Sequence, residues 1–401
     1  MAKIDTYLPT TAGKWNSKIP LDFPQTTNIS TSFTAPAHEI LMWRGDKLTN
    51  KYLRTKTPVE RDEIAKDVFN YLLKCNFDSY RIPEKRMLND WENIKDFAAA
   101  TEIINGETHV KNMGNSGSKV YKYFFPNLMK LKNGKKLSVY ECLKDKETLW
   151  KIVRNRVGNT LIYAEKKGET ARQYPMTLTC LNMFIQGAKA SGQASIGSQF
   201  KPGVAKAIYE RFVKDGDVVL DYSCGYGARL LGLASLGKKV KYCGYEPCTE
   251  TYSGLIKMSK YFEFDIDIKK CGSEEELFED KFDFAFSSPP YFDQETYSTE
   301  ATQCYNKYTA YDDFMEKYWR KTVKNIKQML KPNAIFGVNA GNSSNEFMQK
   351  ITTDFKKTIE DEGFGLVEAW CLDTPRSHLT SKRSTQVTMK PEGIYFYRLG
   401  V

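Results

Sequence analysis

Val218-Val219-Leu220-Asp221-Tyr222-Ser223-Cys224-Gly225-Tyr226-Gly227 decides the fold: a short apolar run breaks off at an acidic residue and enters a loop with two glycines. Three apolar residues bounded by turn formers suit a strand covered on both faces, the kind found in parallel sheets. The glycines take dihedrals that other residues resist and let a ligand approach the backbone. Upstream, Asp215-Gly216-Asp217 is a turn and residues 204–213 form an amphipathic helix. Downstream, the spacing predicts helices over 228–236, 250–262, 311–330 and 345–362. Strands are predicted near 240–245, 266–270, 282–286, 334–339, 366–372 and 394–399. Such alternation of short, nearly all-apolar strands with helices predicts an α/β fold, a mainly parallel sheet with helices on both faces. Ligands of such sheets bind at the carboxyl ends of the strands, which gathers the loops after Leu220, Tyr245 and Phe286 at one rim.

The chain before this stretch reads differently. Residues 1–45 are rich in Thr, Ser, Pro and Asn and predict an extended arm. Ile64, Val68, Tyr71, Leu72 and Cys75 give residues 58–77 one apolar helical face. Short strands and turns follow over 102–142, then a helix over 144–157. Residues 187–195 are small and polar and read as a seam. Residues 1–200 hold 31 Lys and Arg against 20 Asp and Glu, whereas residues 201–401 hold 28 against 29. The whole surplus of the chain, +10, therefore lies in the first half. A basic α+β region over 1–190, joined to a neutral domain over 191–401, suits a polyanion-binding part attached to a catalytic part. A lysine-rich solvated surface accounts for the same surplus. Trp43, Arg44 and the basic stretch 111–136 are candidates for nucleic-acid contact on composition.

No cationic leader with an apolar run opens the sequence, and no apolar stretch is long enough to span a membrane. Nine cysteines stand singly without a CxxC pair, which reads as reduced thiols rather than disulfides or a zinc site. His38, His109 and His378 lack ligand spacing, so no metal is expected. These features predict a cytoplasmic protein with no membrane partner.

Two further signals carry chemistry. Gly244-Tyr245-Glu246-Pro247 ends the second strand, and an acidic residue there, roughly 20 residues beyond a glycine loop, can accept hydrogen bonds from both hydroxyls of a ribose. The loop itself has G-x-G without a third glycine. With Asp221 beside it, it resembles the S-adenosylmethionine loop of Rossmann-like methyltransferases better than a pyrophosphate cradle. A bare strand-to-helix turn is the alternative. The second signal is Asp283-Phe284-Ala285-Phe286-Ser287-Ser288-Pro289-Pro290-Tyr291, a strand running straight into S-P-P-Y.

On these residues the chain resembles the S-adenosylmethionine-dependent DNA amino-methyltransferases, the DNA methylase N-4/N-6 group of SPPY type, whose signature is [DNS]-P-P-[YFW]. The resemblance covers 195–400 and implies a Rossmann-like class I methyltransferase fold with a mainly parallel seven-stranded sheet. Gly197-Ser198-Gln199-Phe200-Lys201-Pro202-Gly203-Val204-Ala205 is similar to the family's motif flanking the methionine end of the cofactor. The implied cofactor-binding residues are Phe200, Lys201, Asp221, Ser223, Gly225, Gly227, Glu246 and Pro247. The implied catalytic residues are Ser288, Pro289, Pro290 and Tyr291. An exocyclic amino group is a poor nucleophile because its lone pair is conjugated with the ring. Ser288 Oγ and the Pro289 carbonyl would accept its two hydrogens and localise that pair. The prolines stiffen the loop, and Tyr291 would stack on a base flipped out of duplex DNA.

A leading serine is associated in the family with cytosine N4, and adenine N6 stands second. C5 methylation needs a nucleophilic cysteine; Cys304 lies outside the tetrapeptide, and Pro247-Cys248 follows the wrong strand. The first loop departs from the D-P-F-x-G-S-G of many relatives. Little chain follows the catalytic motif, so target recognition would fall to the N-terminal half or to 293–312. The resemblance to phage and bacterial members implies a bacterial or phage-encoded enzyme, as in restriction-modification. RNA amino-methylation and a silent nucleic-acid-binding protein are the competing functions. Phe292, Tyr297, Tyr305, Tyr308 and Tyr311 could stack on bases or pack a lid, and Arg376, Lys382 and Arg383 could meet phosphate.

Overall fold

The computed structural model describes residues 28–31, 41–49, 52–53, 55–74, 82–98, 101–104, 107–111, 115–133, 136–166, 199–341, 346–373 and 392–400. The chain divides into two compact units, 1–83 with 129–197 and 84–128 with 198–401. The seam over 187–195, Cys75, His38, His378, Arg376, Lys382 and Arg383 lie outside the described residues. No helix among those described is long and apolar enough to cross a membrane.

The second unit is built on one sheet. Its strands are β1 (Thr101–Ile104), β2 (Glu107–Lys111), β3 (Val218–Asp221), β4 (Lys241–Tyr245), β5 (Ile266–Lys269), β6 (Phe282–Ser287), β7 (Leu330–Ala340), β8 (Phe364–Asp373) and β9 (Glu392–Leu399). Their order is β1-β2-β8-β9-β7-β6-β3-β4-β5. Strands β3 to β7 run parallel, and β9 lies antiparallel between β7 and β8. This is the Rossmann-like class I methyltransferase fold. The central strands are apolar along their length because helices cover both faces: Phe282, Phe284, Ala285 and Phe286 of β6 are all buried. At the edge, β5 alternates inward Ile268 with exposed Asp267. The strand order reverses between β3 and β6, so the loops leaving these two strands flank the switch point where such sheets bind ligands.

Among the described residues the sheet has nine strands rather than the expected seven. The additional β1–β2 hairpin pairs parallel to the β8 edge through β2, and it comes from the region read as part of a separate basic half. The expected division at 190 is corrected accordingly: residues 84–128 pack with the sheet unit. Helix α1 (Glu84–Lys95) ends where Lys206, buried on α3 (Pro202–Phe212), donates to the carbonyls of Ile94 at 3.0 Å and Lys95 at 2.6 Å. A lysine suits the carbonyl end of a helix. Trp91 of α1 meets Phe262 at 4.9 Å, and Asn127, just past α2 (Ser118–Phe124), donates to Thr251 at 2.9 Å, both partners on α5 (Thr249–Phe262). Gly254 has no room for a Cβ, which would stand 2.5 Å from Phe125. Composition missed this docking because the residues that make it are ordinary apolar and amide side chains.

The helix expected over 311–330 is interrupted. Tyr311–Asp313 is α-helical, Phe314–Arg320 is a π-helical segment, and α6 (Lys321–Met329) resumes before β7 begins at Leu330. The π segment widens the turn so that Phe314, Tyr318 and Trp319 all face inward and are buried.

The first unit has a small antiparallel sheet, Ile29–Thr31, Leu41–Trp43 and Asp46–Lys47, with helices Pro58–Lys74, Val139–Lys144 and Lys146–Lys166. Phe69 meets Trp150 edge-on at 5.4 Å. Trp43, offered above as a nucleic-acid contact, is core instead: it is 1% exposed and its indole donates to Asp67 at 2.7 Å. Arg44 lies over its ring at 4.3 Å and pairs with Glu63 at 3.2 Å.

Candidate active site

Asp221 closes β3 as a fully buried carboxylate with every lone-pair direction in use. Arg229, on α4 (Ala228–Ala234), reaches it through Nε at 2.7 Å and Nη2 at 3.1 Å. Tyr242 donates at 2.6 Å, Ser287 Oγ at 2.7 Å and the Ser223 amide at 3.2 Å. Burial alone would lower the Arg229 pKa, but the Asp221 charge and its hydrogen bonds more than reverse that and raise it. The same guanidinium donates to the Ser223 carbonyl. This cluster ties the first loop to β4 and to the end of β6. Asp221 is therefore a buried strut rather than a ligand for a cationic methionine, a correction that follows from its saturated acceptors.

The loop after β3 turns through two left-handed glycines, Gly225 with φ +53° and Gly227 with φ +69°. A Cβ on Gly227 would stand 2.6 Å from the Met258 methyl, which can swing aside, so the left-handed dihedral is what chiefly favours glycine there. A Cβ on Gly225 would meet only the Ser223 carbonyl, at 4.0 Å, and its backbone is open to an approaching group. In the next strand, a Cβ on Gly244 would stand 2.2 Å from Cys224 Sγ and 2.7 Å from Asp221 O. That close approach holds the loop against β4, and Cys224 N donates to Tyr245 O at 3.0 Å. Ser223 is half-buried; its Oγ donates to Tyr222 O at 2.7 Å and lies 3.4 Å from the Tyr318 hydroxyl.

Glu246, at the tip of β4, is buried and has no basic partner among the described residues. Its Oε1 accepts from Cys248 N at 2.8 Å, and Gly225 donates through its backbone. Burial raises its pKa to about 7, against the lowering effect of those two backbone donors. Pro247 follows it, half-buried, its carbonyl held by Thr302 at 3.0 Å. Glu274, beyond β5, is also buried: Lys307 Nζ lies 3.5 Å from Oε1 and Tyr308 OH 3.4 Å, while Oε2 has no hydrogen-bond partner among the described residues.

Ser288-Pro289-Pro290-Tyr291 leaves β6 directly. Tyr291 OH donates to Asn339 O at 3.0 Å and accepts from Gly341 N at 2.9 Å, and its ring lies against Phe355 at 6.2 Å and 19°. Asn339 Nδ2 donates to Ser288 Oγ at 3.3 Å. Phe292 adopts φ +56°, a left-handed conformation that costs a phenylalanine energy and ends the tetrapeptide in a sharp turn.

No family model matches the chain. No curated protein matches it either. Solved structures do resemble it. TrmN from Thermus thermophilus is similar at 12% identity and a TM-score of 0.35, over 49% of this chain and 48% of that one. The chain thus spans about half the length of the Thermus protein. A SAM-dependent O-methyltransferase from Thermotoga maritima is similar at 18% identity and a TM-score of 0.34, over 51% and 67%. A 1,6-didemethyltoxoflavin-N1-methyltransferase from Burkholderia thailandensis, solved with S-adenosylhomocysteine, follows at 13% and 0.33, over 49% and 77%. The strand order, rather than these likenesses, identifies the fold.

The switch point thus brings together Ser223, Gly225, Glu246, Pro247 and the tetrapeptide. Phe200 lies under this rim, 5.6 Å from Phe286, with the Arg229 guanidinium 5.7 Å from its ring. Lys201 caps α3 and its amine reaches Asn115. Sequence reading missed Arg229, Tyr242, Ser287, Glu274 and Asn339. A lone arginine in the apolar helix Ala228-Arg229-Leu230-Leu231 was a usable signal, since a buried arginine demands a carboxylate. Of the aromatics after the tetrapeptide, Tyr305 is a packing residue: its hydroxyl accepts from Tyr297 N and Ser298 N, both at 2.9 Å, and donates to Ser298 O at 2.8 Å. Tyr311 is bonded to Asp354 at 2.6 Å, with Lys350 Nζ 3.8 Å from its ring. Away from the rim, Cys243, Asp267 and Asp280 bring metal-capable atoms within 4.8 Å. Asp280 there pairs with Lys241 at 2.8 Å, and burial pushes the Cys243 thiol up to about 12.

Proposed function

We propose that this chain is an S-adenosylmethionine-dependent methyltransferase acting on an exocyclic amino group of a DNA base, cytosine N4 first and adenine N6 second. The observation that carries this reading is that S-P-P-Y leaves the end of β6 while Glu246, a buried acid held by backbone N–H groups, stands at the tip of β4, on strands that flank β3 at the switch point. The residues present suit the cofactor. Glu246 offers a carboxylate to ribose hydroxyls, Gly225 offers open backbone, and the orphaned Glu274 Oε2 offers an acceptor for an amino group. Ser223 and Pro247 complete the rim, and Phe200 supports it from below.

When bound, the cofactor would supply an electrophilic methyl group on a cationic sulfur for the amino nitrogen. The protein's part is to hold the nucleophile. Ser288 Oγ and the Pro289 carbonyl accept the two amino hydrogens and keep the lone pair on nitrogen, and the surplus proton passes to solvent after transfer. Pro289 and Pro290 fix the carbonyl, and the Tyr291 ring offers a face to the base. An amino group inside a duplex has to be flipped out to reach such a site. The basic surplus of residues 1–200 supports a polyanionic substrate.

Calorimetry with S-adenosylmethionine, paired with methyl transfer to duplex DNA, single-stranded DNA and RNA, tests this. Wild type and Ser288→Ala are expected to bind the cofactor equally, with transfer by Ser288→Ala reduced to a small residual rate and DNA preferred by wild type. Full transfer by Ser288→Ala, or no cofactor binding by wild type, removes the reading.

A further inference from the structure

Strands β6 and β7 run parallel with Ser287 beside Val338, so Ser288, just past β6, stands beside Asn339 of β7. Asn339 is 3% exposed. Its side chain meets Ser288 and its carbonyl meets Tyr291, and these bonds have a direction. An amide N–H only donates and a carbonyl only accepts. Gly341 N therefore donates to the Tyr291 hydroxyl at 2.9 Å, and the one proton of that hydroxyl goes to Asn339 O at 3.0 Å. The 3.5 Å contact between Ser288 Oγ and Tyr291 OH must then have Ser288 as donor. One of the two Ser288 lone pairs already faces Asn339 Nδ2, at 3.3 Å. A single acceptor lone pair is left for a substrate. The two contacts to Ser288 are long, as catalytic hydrogen bonds often are before substrate binds.

We infer that Asn339, acting with Tyr291, is a positioning residue that holds Ser288 as a pure hydrogen-bond acceptor, so that the site selects an amino N–H over a keto oxygen. The inference rests on the amino-methyltransferase reading. A serine free to rotate would turn its proton toward the keto oxygen of thymine or uracil and welcome either kind of base. One whose proton is held away opposes acceptor to acceptor there, and rejection by an unmatched polar pair is strong.

The test uses the full chain, mixed-sequence duplex DNA and S-adenosylmethionine at steady state. Asn339→Ala is expected to lower kcat on the order of 30-fold. KM for DNA and Kd for the cofactor should stay within about twofold, because only the reacting group is misaligned. Asn339→Asp, of the same shape but with the donor removed, should lose a similar factor while its thermal unfolding stays cooperative. Because Asn339 acts through Ser288, the double variant Ser288→Ala/Asn339→Ala should be no slower than Ser288→Ala alone. Wild-type kcat in Asn339→Asp, or losses that multiply in the double variant, would overturn the inference alone. A wild-type protein that methylates no amino-bearing base overturns the functional reading and the inference with it.

Discussion

The loops that follow β3 and β4 each carry a buried acid, and they use it in opposite ways. Asp221 is surrounded by donors, among them a buried arginine at 2.7 Å, and is closed to any ligand. Glu246, one strand away, has two backbone donors and no cation among the described residues, and burial raises its pKa to about 7. A buried charge with a full set of partners is architecture; one that is incompletely satisfied leaves room for a ligand to finish the job. Two acids equally prominent in the sequence thus divide into a strut and a candidate ligand.

The largest effect that would break this comparison is at the strut. Asp221→Ala leaves the Arg229 guanidinium buried without its partner, and urea unfolding should show a loss of about 3–5 kcal/mol. A loss below about 1 kcal/mol would mean that the cluster is not a strut. Glu246→Gln should behave in the opposite sense, weakening cofactor binding by calorimetry roughly 10- to 100-fold without destabilising the fold. If it destabilises as much as Asp221→Ala, the contrast between the two acids is gone.

Glu246 also has a pH signature. Its folded pKa, about 7, lies above the ordinary 4.5. Between those values the folded protein keeps a proton that the unfolded chain has shed, so stability contributed here falls as pH rises through that window, by about 3 kcal/mol in all. Glu246→Gln should remove this slope in unfolding measured from pH 4.5 to 8. Cofactor binding has the reverse slope, tightening as pH rises past 7, because ribose hydroxyls bond best to the ionised form. An unchanged stability slope in the variant would place the titration elsewhere. The smallest effects separate the glycines of the two loops. Gly244→Ala should cost about 1–3 kcal/mol through its clash with Cys224 and the Asp221 carbonyl. Gly225→Ala should cost about 1 kcal/mol, since only its left-handed dihedral is at stake. Equal costs measured by denaturation would contradict the packing described for β4.

Much of the parallel sheet was legible in the sequence, because buried parallel strands are apolar on both faces and β6, with Phe282, Phe284 and Phe286, announces itself. The glycine loop, Glu246 and S-P-P-Y were legible for a related reason, since each stands at the end of such a strand. The polar partners were not. Ser287, Arg229, Tyr242 and Asn339 acquire meaning only when strand order brings β6, α4, β4 and β7 together, and no local pattern encodes that order. The docking of residues 84–128 was hidden in the same way: Lys206 reads as a surface lysine until a helix end lies beneath it. Charge was the least reliable guide, placing in one basic half two segments that belong to different units.

The most direct measurement is mass spectrometry of nucleosides from duplex DNA digested after incubation with the full chain and S-adenosylmethionine. N4-methylcytosine, appearing with wild type and strongly reduced with Ser288→Ala, is the expected result. DNA in which no nucleoside gains a methyl group on an exocyclic nitrogen, with cofactor bound, would contradict the account.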